Sequence, residues 1–521
     1  MTDKKKFNDV EWDRYSHGMI QNNANNITNM RDLLDTSGCG FCLAKFTQVT
    51  LHLGTGMTHS CHHPTPHKIP LDELAKSPAA LFNTSHLKKA RKQMLNNDRP
   101  SECDYCWRVE DDGGVSDRVY KSLEPWANEN HDEITTLTGD ENIYPSYLEV
   151  SFSNVCNMKC TYCGPEFSSK WVEELKKDGP IKLLEGTERE IAQHAHKDLD
   201  ALNYKKRDVN PYIEAFWKWV PNVMPNLKHF RITGGEPIMS KDTFKIMEWL
   251  IENPKPDMEF SINSNFSVPD KLWNQFMELI TRMRDADCVK KITLYTSIEG
   301  WGPRAEYVRT GLDFELLKNR AEEVAAMDNI RLTIMAAFNI LSITSFKEML
   351  EWVYQLKLTH NTNNSIATLV EKTGFNIGNK DFVNIKNKNK SHMTTVSLDI
   401  PYLRNPDQLD AHFATHQLVD DYLLPAIGHM AENTVTAGWP LPGRFETHEL
   451  EKFNRIVNHR LYFNRKSSPE RETHVDILVA RAKFYDYINT LDKRRNTDFL
   501  SVFPEMTEFY TVCKQARDGL Q

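Results

Sequence analysis

The sequence predicts an α/β protein: a parallel sheet in the middle of the chain, a small metal-bound α+β region before it and a mostly helical region after it. Three observations predict this. From about residue 145, short strand patterns alternate with amphipathic helix patterns, which implies βαβ units and a parallel sheet, open or closed into a barrel. Eight of the ten cysteines fall between residues 39 and 163. Beyond about residue 405 the chain turns charged and helical, as in "HELEKFNRIVNHRL". A chain of 521 residues has room for two or three domains. The expected segments are a polar, Asn-rich arm at 1–38, a cysteine-rich region at 39–140, the alternating core at 141–360 and an extension at 361–521. The extension begins with an Asn- and Lys-rich loop or hairpin at 376–390.

The elements of the core follow in order. "YLEVSF" at 147–152 alternates, with Leu148, Val150 and Phe152 on one face, and predicts the first strand. A helix is predicted to open at Pro165, a favoured first-turn residue, with Phe167, Trp171 and Leu175 as its buried stripe. "HFRIT" at 229–233 is the second strand, and a helix runs from about 241 to Pro254. "MEFSIN" at 258–263, "KITLYTSIEG" at 291–300 and "IRLTIMAAFN" at 330–339 are further strands. Ser345 and Glu348 have capping-box spacing and start another helix. "CNMKCTYC", "GGEP", "NSN" and "SIEG" each lie just past a strand, so they converge on the carboxyl rim where such sheets carry their sites.

Composition excludes some classes. Apolar residues are 40% and charged residues 26%, as in ordinary folded proteins. The charge, 64 minus 72 or −8, argues against nonspecific nucleic-acid binding, which needs a basic face. The basic run "HLKKARK" at 86–92 reads as a solvated helix face. The start, "MTDKKKFNDVEW", lacks the apolar core of a signal peptide, and no run reaches the roughly 20 apolar residues of a spanning helix. The expected compartment is the cytoplasm, where clustered cysteines point to metal or catalysis rather than to disulfides. Cys288 and Cys513 stand alone and read as buried small hydrophobes.

Cys156, Cys160 and Cys163 lie in one short polar loop. Thiolates are the soft ligands of iron–sulfur clusters, and three of them leave one iron of a cubane open for chemistry. A structural zinc site wants four ligands. The spacing C-x-x-x-C-x-x-C after the first strand resembles the signature of the radical S-adenosylmethionine enzymes. "GGEP" at 234–237 resembles the family's glycine-rich motif, where Gly234, Gly235 and Glu236 would hold the methionine amine. Tyr162 occupies the aromatic position that packs near adenine. "INSN" makes Asn263 and Asn265 candidates for ribose or methionyl contacts. "SIEG" resembles "S-x-D-G", with Ser297 in place and Glu299 where Asp is commoner. "AEYVRTG" at 305–311 puts Arg309 near cofactor or substrate. The resemblance implies a partial (β/α)6 TIM-like barrel and a [4Fe-4S] cluster that chelates S-adenosylmethionine. It implies reductive cleavage to a 5′-deoxyadenosyl radical for hydrogen abstraction, and a reductant such as flavodoxin or ferredoxin. It singles out no catalytic residue on the substrate side.

The earlier cysteines read "GCGFCLAKFTQVTLHLGTGMTHSCHH" and "SECDYCWRVEDDGGVSDR", and resemble the twitch or SPASM-type auxiliary-cluster domain, here ahead of the core. Cys42, Cys61, Cys103 and Cys106 would ligate an auxiliary [4Fe-4S] cluster, with Glu110, Gly113, Ser116 and Arg118 as the matching tail. Zinc is the alternative, held by the pairs Cys39–Cys42 and Cys103–Cys106 with Cys61 spare. His52, His59, His62, His63 and His67 crowd the same region; one could replace a cysteine, and most read as solvated loop histidines. "WRVE" and "EPWANE" read as core or cover. Auxiliary-cluster relatives favour a peptide or protein substrate. RNA or a small polar metabolite is the alternative substrate. A catalytically inactive iron–sulfur or zinc-bearing interaction module is the alternative of a different class.

Overall fold

A computed structural model describes residues 24–202, 209–363, 395–434, 443–458 and 474–520. The loop expected at 376–390 and the first 23 residues of the arm lie outside the described residues. The strands in chain order are β1 (Gln48–His52), β2 (Met57–His59), β3 (His67–Lys68), β4 (Tyr147–Ser151), β5 (Lys159–Cys160), β6 (Ile181–Leu183), β7 (Ile191–Gln193), β8 (His229–Thr233), β9 (Lys255–Ser264), β10 (Val289–Ser297), β11 (Arg309–Thr310), β12 (Ile330–Met335) and β13 (Val396–Asp399). The protein is α/β with mostly parallel pairing of its longer strands.

The chain divides into two compact units, which cut across the boundaries expected at 140 and 360. Unit 1 comprises Met1–Ser153, Tyr204–Thr233 and Lys255–Phe260; unit 2 comprises Asn154–Asn203, Gly234–Pro254 and Ser261–Gln521. In unit 1 the strand order is β3-β2-β1-β4-β8, followed by the first part of β9. β1 and β4 pair in parallel, as do β4 and β8, with Leu51 opposite Val150 and Val150 opposite Ile232. The period of two puts Val49, Leu51, Leu148, Val150, Phe230 and Ile232 in the core. It puts Glu149 and Arg231, which are also in register, on the other face. A second core of this unit packs Phe41, Phe46, Met94, Trp107, Leu123 and Trp126. The tryptophans of "WRVE" and "EPWANE" are thus core, as expected.

In unit 2 the last part of β9 is followed by β10, β12 and β13. β10 pairs in parallel with β12, and β12 with β13. The extension is mostly helical among the described residues. Its long helix Val475–Arg495 packs on Thr507–Asp518 through contacts such as Phe484 on Phe509, ring centres 5.2 Å apart. Cys288 and Cys513 are fully buried, as expected.

Several local expectations are corrected. The Asn-rich arm is not irregular throughout: Ala24–Ser37 is a helix. The helix expected at Pro165 opens at Ser169, capped by the Ser168 hydroxyl, which accepts from the amides of Lys170 and Trp171. Trp171 and Leu175 are buried, but Phe167 precedes the helix and is exposed. The capping box forms one turn before Ser345, on Asn339 and Ser342, at the head of the 3-10 turn Ile340–Ser345. Ser345 instead accepts from the Trp301 amide at 3.0 Å. The run at 86–92 lies on the helix Ser85–Leu95, but Arg91 is buried. Its guanidinium binds Asn83 Oδ1 at 2.8 Å, the Phe82 carbonyl at 2.9 Å and the Lys45 carbonyl at 3.3 Å.

Candidate metal centres

The first candidate centre lies in unit 2. β4 ends at Ser151, and the chain enters the loop that carries Cys156, Cys160 and Cys163. Cys156 and Cys160 are buried and Cys163 is half-buried. The loop is held at many points. Cys156 exchanges hydrogen bonds with Ser169 through its amide (3.2 Å) and carbonyl (3.3 Å). The Ser168 hydroxyl donates to the Met158 carbonyl at 2.6 Å, and the Trp171 indole donates to the Cys160 carbonyl at 2.9 Å. β5 and β11 pair Cys160 with Arg309. From the extension, Tyr487 donates its hydroxyl to the Thr161 carbonyl, and Arg495 stacks 4.8 Å from the Trp171 ring centre. The Met158 amide donates to Cys156 Sγ at 3.4 Å. Burial pushes the Cys156 thiol up to about 12, with Cys160 adding to it, so a metal must displace protons to bind here.

"GGEP" follows β8 and meets this loop. A Cβ on Gly235 would lie 2.4 Å from the Val155 carbonyl oxygen and 2.7 Å from Asn154 C, so only glycine fits the approach. Gly234 has φ +127, which also favours glycine. The Glu236 amide donates to the Val155 carbonyl at 2.8 Å. The Glu236 side chain is buried and accepts from the amides of Asn265 at 2.7 Å and Ile238 at 3.1 Å. Burial raises its carboxyl to about 7, against the pull of those hydrogen bonds. Asn265 Nδ2 donates to Asn157 Oδ1 at 2.8 Å, tying the end of β9 to the same loop. Asn263 lies inside β9 rather than past it, and its amide faces Met335 Sδ at 3.9 Å. Ser297 ends β10 opposite Met335.

Arg309, Glu299 and Tyr162 form a buried network beside Cys160. Arg309 grips Glu299 with two donors, Nε to Oε2 at 2.7 Å and Nη2 to Oε1 at 2.6 Å. Tyr162 donates to Glu299 Oε1 at 2.9 Å and accepts from Arg309 Nη2. The remaining nitrogen, Nη1, points to Cys160 Sγ at 3.8 Å. Glu299, given no role from the sequence, is 1% exposed and is the anchor of the set. A carboxylate one methylene longer than Asp reaches both partners at once.

The second candidate centre lies in unit 1. Cys42, Cys61, Cys103 and Cys106 line one pocket with an empty volume of about 470 Å³, part of it open solvent. Cys39 is not among them: it is exposed, and its amide donates to Asn97 Oδ1 at 2.6 Å. Burial pushes Cys61 up to about 11 and Cys103 and Cys106 up to about 12. Two cations face the sulfurs. Lys45 is buried and pairs with Glu102; burial alone would lower its pKa, but Cys103 and Glu102 carry it above the usual value. Arg118 binds Glu110 twice and Asp35 once, all at 2.9 Å, and also the Phe41 carbonyl. Ser116 donates to Glu110, so three members of the predicted tail form one network; the fourth, Gly113, turns the chain at φ +80.

The histidines of this region are not solvated, except His62, which is exposed at the pocket. His52 and His59 lie on strands with Nε2 atoms 3.0 Å apart. His59 Nδ1 meets the Cys61 carbonyl at 2.5 Å. His63 pairs with Asp117 at 2.6 Å and stacks on Tyr105. His67 meets Thr84 at 2.9 Å. No protein-family model matches the chain, and neither the curated proteins nor the solved structures contain a match. Among the described residues no helix is long and apolar enough to cross a membrane.

Proposed function

We propose that the protein is a radical S-adenosylmethionine enzyme acting on a peptide or protein in the cytoplasm, with electrons from a flavodoxin or ferredoxin. The observation that carries this reading is the loop of three buried or half-buried thiols, closed on one side by Gly235 and on the other by the Arg309–Glu299–Tyr162 network. Soft thiols with a backbone amide aimed at one sulfur fit a four-iron cluster, which the residues Cys156, Cys160 and Cys163 would hold. Strand order supports a partial (β/α)6 barrel, because the paired strands β4, β8 and β9 in unit 1, and β9, β10, β12 and β13 in unit 2, follow one another in chain order, with only the short two-stranded ribbons between them. When bound, the cluster and S-adenosylmethionine supply a 5′-deoxyadenosyl radical. The chain's part is to bind and orient. Gly234, Gly235 and Glu236 receive the methionine amine. Tyr162 lies against adenine, its hydroxyl fixed by Glu299. Asn263, Asn265 and Ser297 offer polar atoms for ribose or the methionyl group. Arg309 holds Glu299 and Tyr162 in place and leaves one N–H for the Cys160 sulfur.

In unit 1 the same reading assigns an auxiliary four-iron cluster to Cys42, Cys61, Cys103 and Cys106. The exposed position of Cys39 supports this set over a zinc site built on Cys39 and Cys42. The test is anaerobic reconstitution, iron and zinc counting, and assay of 5′-deoxyadenosine after reductant and S-adenosylmethionine are added. About eight irons are expected, with half lost and product abolished in the Cys156/Cys160/Cys163→Ala variant. An iron-loaded wild type that makes no 5′-deoxyadenosine with a competent reductant would overturn the enzyme reading in favour of an interaction module.

A further inference from the structure

Outside both cysteine sites, unit 2 brings together Glu166, His194 and His196. One carboxylate oxygen and two imidazole nitrogens lie within 4.8 Å of one another. His196 Nε2 and Glu166 Oε1 are 2.8 Å apart. The backbone is shaped for this grouping. β7 ends at Gln193, and His194 follows with φ +59, a left-handed conformation that non-glycine residues adopt only at a cost. The His196 amide then donates to the His194 carbonyl at 2.9 Å, folding the turn so that both rings face Glu166. On the opposite side stands Gly164. A Cβ there would lie 2.7 Å from Glu166 Oε2 and 3.2 Å from His194 Cε1, so glycine leaves the space that the grouping fills.

We propose that Glu166, His194 and His196 form a mononuclear site for a divalent transition ion of the zinc class. The donor set is two borderline imidazoles and one hard carboxylate, which suits zinc, cobalt or ferrous iron and not an iron–sulfur cluster. In a tetrahedral site with bonds of about 2.0–2.1 Å the ligand atoms stand roughly 3.3 Å apart. The His196–Glu166 pair at 2.8 Å is closer than that and the grouping as a whole lies within 4.8 Å, so side-chain adjustments of about an ångström set the three ligands. Glu166 keeps 41% of its side chain exposed, which gives an ion a route in and a water a place as fourth ligand. The bound ion fastens the β6–β7 hairpin to the chain just after Cys163, because Gly164 and Glu166 continue the three-cysteine loop. The site is independent of the radical chemistry and stands whether or not that reading holds.

The full-length protein, loaded anaerobically with iron and sulfide and then stripped of loose metal by chelator, is titrated with cobalt(II). One equivalent is expected, giving weak visible ligand-field bands and no added sulfur-to-cobalt charge transfer. His194→Ala/His196→Ala should abolish that equivalent at unchanged iron content. His196→Ala and Glu166→Gln should each weaken binding by more than the roughly 10–100-fold that loss of an outer hydrogen-bond partner costs. The single variants alter side chains that reach solvent, and unchanged metal-free melting checks their fold. A wild type that takes up no such equivalent overturns the proposal. So does a double variant that binds cobalt as the wild type does.

Discussion

The two cysteine sites solve the same problem in opposite ways. Unit 2 takes its three thiols from eight consecutive residues, 156–163, so the spacing alone brings them together. Unit 1 takes four thiols from three separated stretches, at 42, 61 and 103–106, and depends on the surrounding fold to assemble them. The charges are arranged alike. In unit 1 two buried cations face the four sulfurs, Lys45 paired with Glu102 and Arg118 paired with Glu110. In unit 2 two buried cations, Arg309 paired with Glu299 and Arg495 paired with Glu174, act on Cys160.

The comparison can be broken most directly through Cys61 and Cys39. Cys61→Ala should remove about four of about eight irons, and Cys39→Ala should remove none. Equal losses in the two variants would erase the distinction drawn in unit 1. Next in size is the buried pair of unit 2. Glu299→Ala leaves Arg309 uncompensated in a buried setting and should cost about 3–5 kcal/mol in urea unfolding followed by a probe in unit 2. A loss below about 1 kcal/mol would show that the network is solvated.

A third test sharpens the contrast through pH. Burial, then the neighbouring His59, lowers His52 from its usual 6.5 to about 4. The folded form stays neutral while the unfolded chain takes up a proton below about 6.5. The contribution is therefore full above that pH and is lost as the pH falls towards 4, with a size of about 3 kcal/mol. Stability of unit 1 measured between pH 7 and 4 should show this slope, and His52→Gln should make it shallower, the rest coming from His62 and His67, which desolvation also holds near 4. The smallest effect is Tyr487→Phe. It removes the hydroxyl that binds the Thr161 carbonyl and should cost about 1 kcal/mol. Faster iron loss from the unit 2 loop than from the unit 1 pocket is the accompanying signature.

The sequence made the strands legible because alternation is local: β4, β8, β9, β10 and β12 fall where the patterns predict them. The two cysteine groupings were legible from spacing and resemblance. What escaped depends on long-range partners. Pro165 could start a helix, but its carbonyl accepts from Asn154 Nδ2 at 2.9 Å, and Ser168 caps the helix instead. Glu299 and Arg309 sit ten residues apart on different elements, and nothing local marks them as a pair. His52 and His59 read as loop residues, although "QVTLH" ends a strand with alternation of its own. For the Glu166 grouping the only signal is the "HAH" at 194–196, silent about its carboxylate.

The hydrogen bond from Tyr487 to Thr161 spans 326 residues of chain. A ribosome adding roughly 5–20 residues per second needs on the order of 15–65 s to cover that distance. The four thiols of unit 1, all present by residue 106, emerge long before this. The three-cysteine loop emerges early too, but waits for the last helices before its brace exists. If the two sites hold metal as proposed, the N-terminal pocket can accept its cargo while the chain is still being made, and the loop gains this brace only once Tyr487 has been added.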